Sequence, residues 1–162
     1  MAEGSRAATI SSLIEQYSQP SPLGFGKVLA PVMYRAEYKD GKWHTGSLVP
    51  FEKIMISPAA TSLQFAQQIF EGMKAYLVEQ ESPQLFRPEL NFQRLNRSAH
   101  RLSMPSIDGY VFADSIHQLT TALEKIIPGG PGQSLYLRPT MLGIDEQFAV
   151  QGSDNFTYLL MA

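Results

Sequence analysis

Residues 86–105 read FRPELNFQRLNRSAHRLSMP and hold four of the seven arginines of the chain. Pro88 suits the first turn of a helix, because its missing N–H would be unpaired there in any case. Pro105 marks a stop, since proline cannot continue a helix. The stretch therefore predicts an amphipathic helix from about residue 88 to residue 103.

Arg94, Arg97 and Arg101 are predicted to share one face of this helix, beside its apolar stripe. A guanidinium is always charged and offers a rigid fork of donors, which suits a phosphate or a carboxylate. The alternative is a solvated helix face whose arginines form ion pairs, with Glu89 and Asp108 as candidate partners. On spacing alone, the solvated face is the favoured interpretation.

The composition is that of an ordinary globular protein. The 162 residues are 44% hydrophobic and 17% charged, which suits one domain with a proper core. A net charge of −2 argues against nucleic acid or an anionic membrane as the main partner. The chain has no cysteine, and its three histidines follow no ligand spacing, so no metal is expected.

No apolar run approaches the roughly 18 to 20 residues that a membrane-spanning helix needs. The first residues also lack the features of a secretory signal. A cytoplasmic setting is therefore expected.

The remaining patterns predict an α+β fold, with one mixed or antiparallel sheet and helices packed on it. Helices are predicted over residues 9–17 and 57–72, and from Asp114 and Ser115 as caps to a stop at 128–130. Strands are predicted at 28–38 and 43–51 around an Asp-Gly turn, at 73–78 and 84–87 around a turn at 79–83, and at 134–142 and 156–161.

Residues 1–22 are predicted to be a leader on the surface, and residues 23–162 to form the domain. The apolar strand at 156–161 would end the chain as a sheet edge with nothing beside it. More protein is therefore expected to follow.

Three segments carry a family resemblance: FEGMKAY at 70–76, the arginine stretch at 86–99, and SLYLRP at 134–139. In this order they resemble the amino-terminal half of branched-chain amino acid aminotransferases, class IV enzymes of pyridoxal phosphate fold type IV. The resemblance runs from about Phe25 to the last residue. It implies a small amino-terminal domain of a homodimer that, with pyridoxal 5'-phosphate, moves an amino group between leucine, isoleucine or valine and 2-oxoglutarate.

The resemblance assigns Arg94 to the phosphate of the cofactor, which reverses the preference for a solvated helix face. It assigns Arg138 to the carboxylate of the acidic substrate. A strand-end ion pair of Arg138 with Asp145 or Glu146 is the alternative. Tyr136 lies two residues earlier on the same strand face, so it should line the same pocket.

Phe25 and Phe70 match positions that form the apolar pocket for the branched side chain, although two aromatic residues are more often plain core. Phe148, Ala149 and Val150 match a loop that reaches into the site of the neighbouring subunit. The alternative for this loop is an ordinary surface turn.

Two features depart from the family. Phe65 stands where a tyrosine is usual, which affects substrate preference. The lysine that holds the cofactor in the family lies beyond residue 162, and none of the six lysines present, Lys74 included, matches it. No catalytic residue is therefore assigned to this chain, and it is expected to be inactive alone. A truncated, non-catalytic homologue that acts as a binding or dimerisation module is the alternative.

Overall fold

A computed structural model describes residues 3–21, 23–78 and 82–162 of the protein. The helices are α1 (Glu3–Gln16), α2 (Thr61–Gln64), α3 (Pro88–Arg101) and α4 (Gly109–Leu123), which a 3-10 turn at Glu124–Ile126 continues. The strands are β1 (Val32–Lys39), β2 (Lys42–Trp43), β3 (Ser47–Pro50), β4 (Gln68–Phe70), β5 (Met73–Tyr76), β6 (Gln84–Leu85), β7 (Leu135–Gly143) and β8 (Phe156–Met161).

The described strands form one antiparallel sheet in the order β2-β1-β8-β7-β5-β6, with β3 also paired to β1 and β4 to β7. Helices pack against one face of this sheet, which confirms the predicted α+β class. Leu137 and Met141 of β7 point into the core under the helices. Because side chains alternate along a strand, Tyr136 and Arg138 lie on the opposite face, which we call the outer face.

The strand predicted at the edge lies in the middle of the sheet. Leu160 of β8 pairs with Tyr34 of β1 on one side and with Pro139 of β7 on the other, and it is fully buried. The prediction of an unpaired edge was wrong, because the sequence of a strand does not reveal which distant strands flank it.

The Asp-Gly turn is confirmed, since Asp40 and Gly41 have φ values of 53° and 74° and join β1 to β2. The returning strand is interrupted between β2 and β3. There Gly46 passes so close to the ring of Tyr34 that a Cβ would lie 2.5 Å from it. The close approach breaks the predicted single strand into two short ones.

The helix predicted over 57–72 was wrong except for a single turn. Only Thr61–Gln64 is helical, Ala66 has a φ of 52°, and Gln68–Phe70 forms β4. Ile69 is buried, whereas Phe70 is 63% exposed, as expected for neighbours on a strand. Pairing with β7 outweighs the helical spacing of the apolar residues.

Helix α4 begins earlier than predicted. Asp108 caps it by accepting hydrogen bonds from two backbone N–H groups of the first turn. Asp114 and Ser115, the predicted caps, lie inside the helix, where Asp114 accepts a hydrogen bond from the Tyr34 hydroxyl and Ser115 is fully buried. The helix prediction itself is confirmed.

Helix α1 packs on the core through Ile10, which is 8% exposed. The division into a leader at residues 1–22 and a domain at 23–162 stays a prediction. The domain boundary at Pro22 and part of the turn at 79–83 fall on residues 22 and 79–81, which lie outside the described residues. The boundary stays a prediction. Among the described residues, the helices are too short or too polar to span a bilayer.

Candidate functional site

Arg138 is the centre of a cluster on the outer face. Its Cζ lies 4.5 Å from the ring centroid of Phe70 and 5.2 Å from that of Tyr136. Its Nη2 donates a 3.0 Å hydrogen bond to the Tyr136 hydroxyl. Its Nε is buried without a hydrogen-bond partner in the described part of the chain. Buried donors are normally bonded, so this unpaired N–H is an exception within the cluster.

The alternative for Arg138, a strand-end ion pair, is not observed among the described residues. Asp145 instead accepts hydrogen bonds from the backbone N–H groups of Asp154 and Asn155 and from the Asn155 amide. Arg138 is therefore not neutralised by a carboxylate within the part of the chain that the structure describes.

Phe25 completes this cluster. Its ring meets the ring of Tyr136 edge to face, with the centroids 5.1 Å apart. Phe25 is 77% exposed, so neither it nor Phe70 is core. The structure thus brings together Phe25, Phe70, Tyr136 and Arg138, as the sequence predicted, and their roles stay predictions.

A cavity of about 300 Å³ adjoins the cluster, because Phe25 and Tyr136 also line it. Lys74 of β5 borders the same cavity and pairs with Tyr136 across the sheet. The cavity thus combines aromatic walls with a cation, which suits an anionic ligand that carries an apolar part.

Arg94 of α3 forms an ion pair with Glu71, which lies in the bend between β4 and β5. Arg94 Nε is 2.5 Å from Glu71 Oε1, and Arg94 Nη2 is 2.7 Å from Oε2. The Glu71 side chain is 6% exposed and that of Arg94 58%. The carboxylate therefore faces inward, and the guanidinium reaches outward from it.

The partners suggested for a solvated helix face are engaged elsewhere. Glu89 lies 3.6 Å from Arg87, and Asp108 caps α4. Arg97 and Arg101 form no ion pair with any described residue. Arg94 thus differs from its neighbours on the helix by its buried partner.

Glu71 is held as a carboxylate. Its Oε2 also accepts hydrogen bonds from Asn91 Nδ2, at 3.1 Å, and from the Gly72 N–H, at 3.2 Å. Burial alone would raise the pKa of Glu71, but the hydrogen bonds from Arg94, Asn91 and Gly72 outweigh it and hold the pKa below its ordinary value. The same contact raises the pKa of Arg94.

The backbone links the two arginines. Glu71 N–H donates a 2.9 Å hydrogen bond to the carbonyl of Pro139, which follows Arg138 on β7. Sequence reasoning assigned no role to Glu71 or Asn91. The only local signal for a role of Glu71 was its position between Phe70 and Gly72 in the FEGMKAY motif at 70–76.

The donors that remain on Arg94 fit a phosphate. Glu71 takes Nε–H and one N–H of Nη2, and the Nη1 amino group has no acceptor among the described residues. A guanidinium edge with free N–H groups is a good partner for phosphate oxygens.

Phe148, Ala149 and Val150 lie on an exposed loop between β7 and β8, with Phe148 78% and Val150 95% exposed. No hydrogen bond or ring contact of the described residues joins this loop to Arg94 or Arg138. The loop is therefore not part of the cluster within one chain. Its predicted contact with a neighbouring subunit stays a prediction.

Phe65 follows α2 directly and is 41% exposed. No described ring contact or cation-π contact joins it to Arg138 or Phe70. The effect of this residue on substrate preference stays a prediction.

Two curated relatives are similar in sequence to nearly the whole chain. The chain is 33% identical over 143 residues to branched-chain-amino-acid transaminase 1 of Bacillus subtilis, covering 88% of this chain and 40% of that protein. It is 40% identical over 141 residues to the branched-chain-amino-acid aminotransferase of Mycolicibacterium smegmatis, covering 86% and 38%. The chain is similar to the amino-terminal part of branched-chain aminotransferases. The resemblance read from the three motifs is thereby confirmed.

Solved branched-chain aminotransferases share the fold. The enzyme of Thermoproteus uzoniensis, solved with norvaline, matches with a TM-score of 0.50 at 25% identity, covering 81% of this chain and 40% of that one. A T.th. enzyme complexed with N-(5'-phosphopyridoxyl)-L-glutamate matches with a TM-score of 0.53 at 19% identity, covering 78% and 39%. The chain thus spans about 40% of the length of these branched-chain aminotransferases. No protein-family model matches it.

Proposed function

We propose that this chain is the small amino-terminal domain of a branched-chain amino acid aminotransferase. The complete enzyme would exchange an amino group between leucine, isoleucine or valine and 2-oxoglutarate, with pyridoxal 5'-phosphate as cofactor. The observation that carries the proposal is the similarity to branched-chain aminotransferases along nearly the whole chain. The geometry of the two arginines supports it.

Arg94 is the residue that would hold the cofactor phosphate. Its Nη1 group has no acceptor among the described residues, and the ion pair with Glu71 holds the guanidinium turned outward. When bound, the cofactor supplies a pyridine ring that accepts electrons from the substrate. The contribution of this chain is to bind and orient the phosphate end.

Arg138 and its aromatic neighbours would receive the substrate side chain. The pocket must accept both the carboxylate of an acidic substrate and the apolar group of a branched one. A guanidinium lying over the ring of Phe70 offers both surfaces, since its N–H groups bind a carboxylate and Phe70 and Phe25 provide apolar area.

The remaining parts of the proposal concern the complete enzyme. The lysine that carries the cofactor would lie in the segment of the relatives that this chain does not match. The loop at Phe148, Ala149 and Val150 would reach the neighbouring subunit of a cytoplasmic homodimer, where its exposed apolar side chains would be covered.

A chimera tests the proposed function. The matched amino-terminal part of the Mycolicibacterium smegmatis relative is replaced by this chain, and transamination of leucine, isoleucine and valine with 2-oxoglutarate is measured. We expect activity with all three amino acids, and a raised cofactor requirement in Arg94→Gln. Arg97→Gln is the matched control on the same helix and should behave like the parent chimera.

A folded, cofactor-loaded chimera that transaminates none of the three amino acids would contradict the proposal. Equal effects of Arg94→Gln and Arg97→Gln on the cofactor requirement would contradict the role given to Arg94.

A further inference from the structure

The bend Phe70-Glu71-Gly72 touches both arginines of the candidate site. Phe70 lies under Arg138, and Glu71 forms the ion pair with Arg94. Gly72 lies against Tyr136, the residue that accepts a hydrogen bond from Arg138. Three consecutive residues thus contact Arg138, Arg94 and Tyr136 in turn.

The buried carboxylate of Glu71 holds the more exposed guanidinium of Arg94 in one orientation. Both carboxylate oxygens accept from the guanidinium, so the pair is bidentate and restricts rotation about the end of the arginine side chain. The carboxylate itself is anchored by Asn91 and by the backbone N–H of Gly72. Arg94 therefore meets a ligand in an orientation set before binding.

The pair also serves the buried carboxylate, because Oε1 of Glu71 accepts a hydrogen bond only from Arg94 among the described residues. Asn91 and the Gly72 N–H supply hydrogen bonds to Oε2 alone. Arg94 is 58% exposed, so its guanidinium does not fill core space. The geometry is that of a group held in place for an outside ligand.

Gly72 makes room for the Tyr136 hydroxyl. A Cβ at position 72 would overlap that oxygen, and Gly72 is not among the glycines with positive φ. The requirement is therefore for space and not for backbone conformation. The hydroxyl that occupies the space accepts the hydrogen bond from Arg138 Nη2.

We propose that Glu71 and Gly72 are positioning residues: Glu71 orients Arg94 for an anionic phosphate, and Gly72, by admitting the Tyr136 hydroxyl, orients Arg138 for a carboxylate. The inference rests on the proposed function for the identity of the two anions. The placement of the two guanidinium groups by the bend stands on the contacts themselves.

Resolved 15N NMR signals of the arginine Nε–H groups in the full chain test the placement. Glu71→Gln should speed the exchange of the Arg94 Nε–H with water severalfold and leave the Arg138 signal in place. Gly72→Ala should shift the Arg138 signal and leave Arg94 unchanged. Arg97, which has no ion pair among the described residues, is the internal reference in both variants.

A merely structural role would disturb all arginine signals together, and that result would overturn the proposal. If Gly72→Ala does not fold, Tyr136→Phe alone tests the same step, because it removes the hydroxyl to which Arg138 Nη2 donates. Tyr136→Phe should shift the Arg138 signal and leave the Arg94 signal in place. An unchanged Arg138 signal would overturn the role given to the hydroxyl that Gly72 admits.

Inorganic phosphate then probes the function of the oriented guanidinium. Added phosphate should shift the Arg94 signal, and Glu71→Gln should raise the midpoint of that titration severalfold, because a freely rotating side chain loses more entropy on binding. Removal of a negative charge by itself would lower the midpoint. A raised midpoint therefore reports lost orientation, and an unchanged or lowered one overturns the role of Glu71.

The phosphate site and the placement of the two arginines are tested separately. If phosphate shifts no arginine signal in the wild type, the proposed phosphate site is wrong. The selective effects of Glu71→Gln and Gly72→Ala on arginine exchange still decide whether the bend positions the two guanidinium groups.

Discussion

The guanidinium of Arg138 lies over the ring of Phe70, with Cζ 4.5 Å from the ring centroid. A cation-π contact at a partly desolvated site contributes about 1 kcal/mol. The ring holds the guanidinium in place before a ligand binds. Phe70→Leu keeps an apolar side chain but removes the ring, so the affinity of Arg138 for a dicarboxylate such as glutarate should fall. Titration followed by the Arg138 Nε–H signal measures the change.

Phe86→Leu is the control for this prediction. Phe86 is 81% exposed and takes part in no described ring or cation-π contact. Its replacement should leave glutarate affinity unchanged. An equal loss in both variants would mean that the stacking on Phe70 does not support the guanidinium.

The ion pair of Glu71 predicts a dependence of stability on pH. The pKa of Glu71 in the folded protein lies below its ordinary value of 4.5, chiefly because hydrogen bonds from Arg94 and Asn91 outweigh burial. The unfolded chain therefore takes up the proton first as the pH falls. The stabilisation is complete above about pH 4.5 and is lost as the pH falls through the lower, folded pKa.

Urea denaturation of wild type and Glu71→Gln at a series of pH values measures this effect. The difference between their free energies of unfolding should be largest near neutral pH and shrink on acidification below pH 4.5. Glu89→Gln is the control, since Glu89 and its partner Arg87 are both mostly exposed. A difference for Glu71→Gln that is flat with pH would contradict the prediction.

The cap of α4 gives a third prediction. The Asp108 side chain accepts hydrogen bonds from the N–H groups of Tyr110 and Val111, so Asp108→Ala should lower the free energy of unfolding by about 1 kcal/mol. Asp108→Asn retains an acceptor that caps well and should cost much less. Equal losses in thermal or urea denaturation would assign the effect to charge and not to capping.

Local sequence signals predicted α3 and α4. Contacts between distant parts of the chain explain the predictions that were wrong. Pro88 and the apolar stripe define α3 within its own sequence, so its observed bounds, Pro88–Arg101, agree with the prediction to within two residues. By contrast, Gln68–Phe70 becomes a strand because β7, which comes much later in the chain, pairs with it. The spacing of apolar residues within a short stretch of sequence contains no information on which distant strand will pair with it.

The same limit applies to the candidate site. Arg94, Phe70 and Arg138 could be named because they stand in three short motifs that resemble those of the aminotransferase family. The partner of Arg94 is Glu71, which lies 23 residues earlier in the chain. An ion pair across that distance depends on how a helix and a strand bend meet, which composition and spacing do not determine.

The exposed loop that carries Phe148 is closed at its base by Asp145. Asp145 Oδ2 accepts from the Asp154 N–H at 2.6 Å, and Oδ1 accepts from Asn155 Nδ2 at 2.7 Å. Asp145→Ala should therefore speed amide hydrogen exchange across residues 146–153 while the strands keep their protection. Asp154→Ala is the control, because the Asp154 side chain makes no hydrogen bond among the described residues.

Truncation of Leu160 and of Met161 tests how the two faces of β8 are packed. Its side chain is fully buried between the sheet and the helices, so Leu160→Ala should lower the free energy of unfolding by about 2 to 5 kcal/mol. Met161 is its neighbour on the same strand but lies on the outer face and is only half-buried, so Met161→Ala should cost clearly less. Urea denaturation of the two variants compares the faces directly. A loss for Leu160→Ala as small as that for Met161→Ala would contradict the burial of the inner face of β8.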